Sequence, residues 1–231
     1  MIKMLNCDCM EYMATLSDNA FDLAIVDPPY GIDFGNFNRT NKDIHGNRYK
    51  ADKYHNADWD KETPSDEYFK ELMRVSKNQI VWGGNYFNLP PTQGFIFWYK
   101  RNPVDNFSDG EFAWTSFKKP AKCYDYMYFG NINAEPDRIH PTQKPVALYK
   151  WLLSRYAKQG DKILDTHGGS GSICIACHDL GFDLTWMELD ADYYKAACER
   201  YKDHVSQTML FEPQEIGQKT NNNELDLEIL R

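Results

Sequence analysis

The sequence predicts an α/β fold: one domain with a mainly parallel central sheet and helices on both faces. Three observations carry this. The apolar run Leu23-Ala24-Ile25-Val26 stops at Asp27-Pro28-Pro29-Tyr30, as a buried strand does where it meets rigid residues. Lys162-Ile163-Leu164-Asp165 leads into a glycine-rich turn, a helical run and a second strand closed by an acid, the order of a strand–helix–strand unit. Finally, 231 residues with 42% apolar content can bury one sizeable core and leave little room for a second.

In chain order, residues 9–16 read as a short helix and 22–26 as a buried strand. Residues 31–60 lack sustained periodicity and hold many Asn, Asp and Gly, which predicts a long mobile loop; such loops are uncommon unless functional. Pro64 opens a helix over 65–76 with Tyr68, Phe69, Leu72 and Val75 on one face. Strands are expected at 79–82 and 94–99, and a helix over 146–157 leads to the strand at 162–165. The helix at 173–180, the strand at 184–187 and a Tyr- and Ala-rich helix over 191–205 complete the domain, which is expected to span residues 1–211. Gln, Asn and Glu dominate the end of the chain, so 212–231 is expected to be a disordered tail in which only 225–230 could dock. No internal repeat is present.

Asp27-Pro28-Pro29-Tyr30 is equipment for holding a planar amine. Pro28 and Pro29 fix their own φ and bias the residues before them toward extended backbone, so the Asp27 carboxylate and the Pro28 carbonyl stand as fixed acceptors. Two acceptors on the N–H groups of a conjugated amine localise its lone pair as it is alkylated, a gain concentrated in the transition state. Tyr30 adds a flat face on which an extruded base can stack. A strand followed by a proline turn and a surface tyrosine is the plainer reading. The turn Gly168-Gly169-Ser170-Gly171 lets a ligand approach the backbone, and Glu188 lies at the offset of an acid that grips ribose hydroxyls. A purely structural turn is the alternative there.

With these motifs in this order the chain resembles the S-adenosylmethionine-dependent DNA amino-methyltransferases, and among them the beta arrangement, in which Asp-Pro-Pro-Tyr precedes the cofactor-binding half. The resemblance spans about residues 5–205 and includes Asn6-Cys7-Asp8-Cys9, Asp18-Asn19-Ala20-Phe21-Asp22-Leu23, Trp82-Gly83-Gly84-Asn85-Tyr86-Phe87 and His140-Pro141-Thr142-Gln143-Lys144-Pro145. It implies a Rossmann-like methyltransferase domain with circularly permuted motif order. It further implies a catalytic set of Asp27, Pro28, Pro29 and Tyr30. Its cofactor set is Asp8 and Cys9, Lys144, Asp165, His167, Gly168, Gly169, Ser170, Gly171, Glu188 and Leu189, with Asp8 at the adenine and the segment ending at Lys144 shaping the pocket for the cofactor's amino-acid end. Both motif ends would then lie side by side at the edge of neighbouring parallel strands. The family usually has Asp-Pro-Phe where this chain has Asp165-Thr166-His167, which alters the packing around the cofactor.

In the family, Asp at the first motif position goes mostly with adenine N6 and Ser with cytosine N4, so Asp27 implies a flipped adenine in double-stranded DNA. Cytosine N4 methylation is the nearest rival; an RNA or protein-amide methylase, a non-catalytic DNA-binding module and a dinucleotide oxidoreductase stand further off. A net charge of −8 is awkward for a DNA binder, because Lys and Arg supply most non-specific affinity. The cations are unevenly spread, however. Arg39, Lys42 and Arg48, with Lys50 and Lys53, crowd the segment after Tyr30, while Lys100, Arg101, Lys118 and Lys119, with Lys122, recur among Trp98, Tyr99 and Trp114. These nominate 31–60 and 100–139 as DNA-contacting loops.

The six cysteines are expected to be reduced thiols. Cys174-Ile175-Ala176-Cys177-His178 spells a haem-attachment pattern, but it falls in an apolar helix and no export signal precedes it. No cysteine follows a proline, which disfavours covalent attack on a pyrimidine ring, and no metal is required. No apolar stretch approaches the ~20 residues of a membrane span, and the N-terminus lacks a signal-peptide pattern. A cytoplasmic protein without a membrane partner is expected, with a homodimer left open.

Overall fold

A computed structural model describes residues 1–33, 60–101, 108–128, 133 and 138–208. Its centre is an eight-stranded sheet: β1 (Ile2–Asn6), β2 (Phe21–Val26), β3 (Ser76–Trp82), β4 (Phe95–Tyr99), β5 (Gly110–Thr115), β6 (Lys122–Asp125), β7 (Lys162–Asp165) and β8 (Asp183–Glu188). Across the sheet they run β1-β8-β7-β2-β3-β5-β4-β6. β5 alone opposes the rest, pairing antiparallel with β3 and β4, while the other pairings are parallel. The helices are α1 (Cys9–Ala14), α2 (Asp66–Val75), α3 (Val146–Tyr156), α4 (Ser172–Leu180) and α5 (Ala191–Thr208).

Strands buried on both faces explain the uninterrupted apolar runs of the sequence. Side chains alternate across a strand, so Leu23 and Ile25 join the core under α3 and α4, with Leu148, Leu152 and Ile173. Ala24 and Val26 face the other way, onto Tyr68, Phe69, Leu72 and Val75 of α2 and Met13 of α1. The predicted apolar face of α2 is therefore the face it buries. Cys174 and Cys177 pack in the first of these cores, and all six cysteines are free.

The predicted elements are present, with ends shifted by a few residues. Three strands lie outside the sequence-based expectation: β1, β5 and β6. β5 and β6 fall inside the segment expected to be a DNA-contacting loop at 100–139, because Phe112, Ala113 and Trp114 pair with β4 and extend the sheet. Residues 102–107, 129–132 and 134–137 of that segment, residues 34–59, and the tail expected at 212–231 lie outside the described residues. Among the described residues no helix is long and apolar enough to cross a membrane.

The direction of β5 positions the site. Trp82 at the end of β3 pairs with Ala113, and Trp98 near the end of β4 pairs with Glu111. Glu111 is thereby carried to the edge where the parallel strands end, the edge at which Asp27, Asp165 and Glu188 also stand.

Candidate active site

Asp27 follows the last residue of β2, and the turn it begins is pinned from behind. The buried Asp60 carboxylate accepts from the backbone N–H groups of Tyr30 at 2.7 Å and Gly31 at 3.0 Å. The Tyr30 ring stacks on Tyr86 at 5.0 Å between centroids and 12° between planes, and meets Phe87 edge-on. Gly83 allows this packing: its φ is +69°, and a Cβ there would stand 2.1 Å from Tyr30 Cε1.

Asp27 belongs to a chain of alternating charges. One of its oxygens accepts from the Tyr30 hydroxyl at 2.7 Å, and the other from the Lys144 ammonium. Lys144, whose side chain is 3% exposed, also stands 3.0 Å from Glu111 Oε2 and 5.3 Å from the centre of the Trp82 ring. The second Glu111 oxygen is bound by Lys100. Burial raises the pKa of Asp27, and the Glu111 charge adds to that, against the lowering pull of Lys144 and of the Tyr30 hydroxyl. Burial also works against the charges on Glu111 and Lys144, but their ion pairs outweigh it: Glu111 is held below the usual carboxylate range and Lys144 above the usual amine range. Burial and the neighbouring carboxylates push the Tyr30 phenol well up, so it remains a donor.

The glycine turn stands next to this chain. Asp165 ends β7, the neighbour of β2, and its carboxylate accepts from the His167 N–H at 3.1 Å. Burial, with Asp27 and Glu188 nearby, pushes Asp165 well above the carboxylate range. Gly168 presses on Trp186 so closely that a Cβ would stand 1.8 Å from the indole, and its N–H donates to Met187 O at 2.8 Å. Glu188 holds the turn, accepting from Gly169 N at 2.7 Å and from Asp190 N at 2.8 Å. From α5, Arg200 donates to Ser170 O at 2.8 Å, and Gly171 precedes the first residue of α4. His167 touches Tyr68 edge-on, and burial lowers its pKa to about 4, so the imidazole is neutral. Asp8 caps α1 through Met10 N and Glu11 N, and burial pushes the thiol of Cys9, the next residue, up to about 12. Leu189 is 70% exposed beyond Glu188.

The family model for DNA methylase matches residues 75–199, more than half of the sequence. The chain belongs to this family. It is 25% identical to the type II methyltransferase M2.DpnII of Streptococcus pneumoniae, over 85% of this chain and 88% of that one. The fold is shared with M1.HpyAVI, solved in complex with SAM, at 22% identity and a TM-score of 0.54, covering 87% of this chain and all of that one. It is also shared with the cytosine-N4-specific PvuII DNA methyltransferase, at 13% identity and a TM-score of 0.53, covering 89% and 92%. The matched segment contains Lys144, Asp165 and Glu188 but not Asp27 to Tyr30, so the placement of that motif in this methylase rests on its own geometry.

The structure thus brings together Asp27, Pro28, Pro29 and Tyr30 at the end of β2, and Asp165, His167, the turn 168–171 and Glu188 beside them. Lys144, expected among the cofactor contacts, directs its ammonium at Asp27 and Glu111. Lys100 and Arg101 do lie at the site edge but are already paired, Lys100 with Glu111 and Arg101 in a two-point contact with Asp125. Lys118 and Lys119 follow the end of β5, and because that strand runs backwards they lie at the opposite edge, where Lys119 covers the Phe117 and Tyr156 rings. Arg39, Lys42 and Arg48 fall outside the described residues.

Sequence reasoning missed Glu111, Asp60, Tyr68 and the stacking of Tyr86. For Tyr68 it reaches only the packed face of α2, yet the hydroxyl lies 2.6 Å from Thr166 Oγ1 and supports the start of the turn. Its signal was its position: a tyrosine on an apolar helix face needs a partner for its hydroxyl.

Proposed function

We propose that this chain transfers a methyl group from S-adenosylmethionine to the exocyclic N6 amine of an adenine flipped out of double-stranded DNA. One observation carries the reading: a half-buried carboxylate, Asp27, with Tyr30 beside it, stands at a strand end next to a glycine turn and an acid that together suit a nucleoside. The turn fits such a cofactor. Glu188 uses one lone pair of each oxygen on backbone amides, leaving acceptor capacity for ribose hydroxyls, while the glycines keep the backbone open to close approach. Asp8 and Leu189 flank the same strand ends and are suited to the adenine.

When bound, the cofactor supplies a methyl carbon made electrophilic by a positive sulfur. Asp27 and the Pro28 carbonyl accept the two amine N–H groups and turn the nitrogen lone pair toward that carbon. A C–N bond forms as the C–S bond breaks, with the C–S electron pair going to sulfur, and the positive charge moves onto the base. The proton then leaves nitrogen by way of the Asp27 carboxylate. Tyr30 offers the base a stacking face, which requires that it slide beside or replace Tyr86. Lys144 favours the ionised form of Asp27 against the raising effect of burial, and the ionised form is the one that accepts the amine. Cytosine N4 presents the same amine geometry, and the first residue of the motif favours adenine over it.

Substituting Asp27→Ala tests this. Methyl transfer should fall by at least about a hundredfold, the order seen when one oriented transition-state contact is removed, while cofactor affinity stays within a few fold. Turnover near that of the parent protein would remove Asp27 from the mechanism.

A further inference from the structure

We propose that Glu111 is a positioning residue for methyl transfer, holding the Lys144 ammonium between two carboxylates so that Asp27 is not fully neutralised by its own ion pair. The proposal rests on the methyl-transfer reading and adds to it a residue from β5. A buried ammonium facing a single carboxylate draws electron density from the very oxygens that must accept the amine. In this site the ammonium is shared. Lys144 reaches Asp27 on one side and stands 3.0 Å from Glu111 on the other. Glu111 is in turn anchored by Lys100, which keeps it from taking Lys144 away altogether. The four groups alternate in sign and sum to zero, which lets Lys144 be buried and the other three be drawn partly out of water with it. The negative charge of Glu111 also lies near the base as it gains positive charge, where it acts in the direction of the reaction.

Asp27 faces Tyr30 from its own turn, Lys144 ahead of α3 and Glu111 from β5, with Asp165 of β7 and Tyr149 of α3 close by. Glu111, and Lys100 paired behind it, can be altered without touching a group that meets the base. Activity requires ionised Asp27 and is lost as pH falls through its raised pKa. Removing the like charge in Glu111→Gln lowers that pKa, so the acidic limb of kcat should move to lower pH by about one unit, and the plateau should drop on the order of tenfold. Lys100→Met has the opposite sign. Glu111 then leans on Lys144 alone, Asp27 is less compensated, and the limb should move to higher pH. Glu111→Asp keeps the charge and should hold the limb near its parent position.

The experiment measures kcat against pH for the parent, Glu111→Gln, Glu111→Asp and Lys100→Met, with cofactor affinity recorded to show intact folding. Opposite displacements in Glu111→Gln and Lys100→Met support the assignment. Should Glu111→Gln fail to fold, the Lys100→Met limb decides alone. Activity losses with limbs coinciding with the parent's would overturn the proposal and leave Glu111 a structural residue. A parent protein inactive on DNA would instead count against the methyl-transfer reading itself.

Discussion

At the scale of single residues, the site is built from charged groups that need one another. Leaving one member of a buried ion pair behind costs about 3–5 kcal/mol, which is why Asp27, Lys144 and Glu111 form a connected set with Lys100 at its open end. Asp27 was legible in the sequence because two prolines and a tyrosine followed it. Lys144 was legible only as a member of a motif, since nothing local announces that its ammonium crosses to a residue 117 positions away. We propose that Glu188 holds the ribose as well as the turn. Its carboxylate ties the Gly169 and Asp190 amides and has capacity left for ribose hydroxyls, so Glu188→Ala should weaken cofactor binding by about 1.5–3 kcal/mol, the range for hydrogen bonds to charged groups. Calorimetry on the variant measures this, and unchanged affinity would place the ribose elsewhere.

At the scale of elements, β2 and β7 could be read because their buried runs end in unusual chemistry, and α2 because its apolar face has a helical period. β1, β5 and β6 could not. β1 is five residues long at one edge, and β6 is largely exposed with the sequence Lys122-Cys123-Tyr124-Asp125. β5 hides an acid in a position that a pattern reader takes for a solvent-facing residue, and its reversed direction is a property of pairing with β3 and β4, not of its own six residues. That reversal changes the expected DNA face. Lys118 and Lys119 go to the far edge, and Lys100 and Arg101 are already paired with acids. The segment after Tyr30 is left as the stronger source of phosphate contacts, and we propose that Arg39, Lys42 and Arg48 make them. Replacing all three with Ala should weaken DNA binding and, in a log–log plot, flatten its salt dependence by about 0.9 for each phosphate no longer neutralised, with cofactor affinity unchanged. A salt slope equal to the parent's in a binding titration would exclude this segment.

At the scale of the whole molecule, the sheet order brings the ends of β2, β7 and β8 together at one edge, so the Asp27 corner and the glycine turn are neighbours although their motifs lie far apart in the chain. Helices on both faces leave that edge as the place where open strand ends and loops can meet a ligand, the usual position for sites in open α/β sheets. The net charge of −8 is reconciled with a nucleic-acid substrate only if cations gather at this edge, which joins the loop prediction to the function of the whole chain. We propose that residues 1–211 act as a single catalytic domain. The decisive test incubates the protein with methyl-labelled S-adenosylmethionine and mixed-sequence duplex DNA, digests the product and separates its nucleosides. Label is expected in N6-methyladenine; label confined to N4-methylcytosine would correct the target base, and DNA that acquires no label would overturn the methyl-transfer reading.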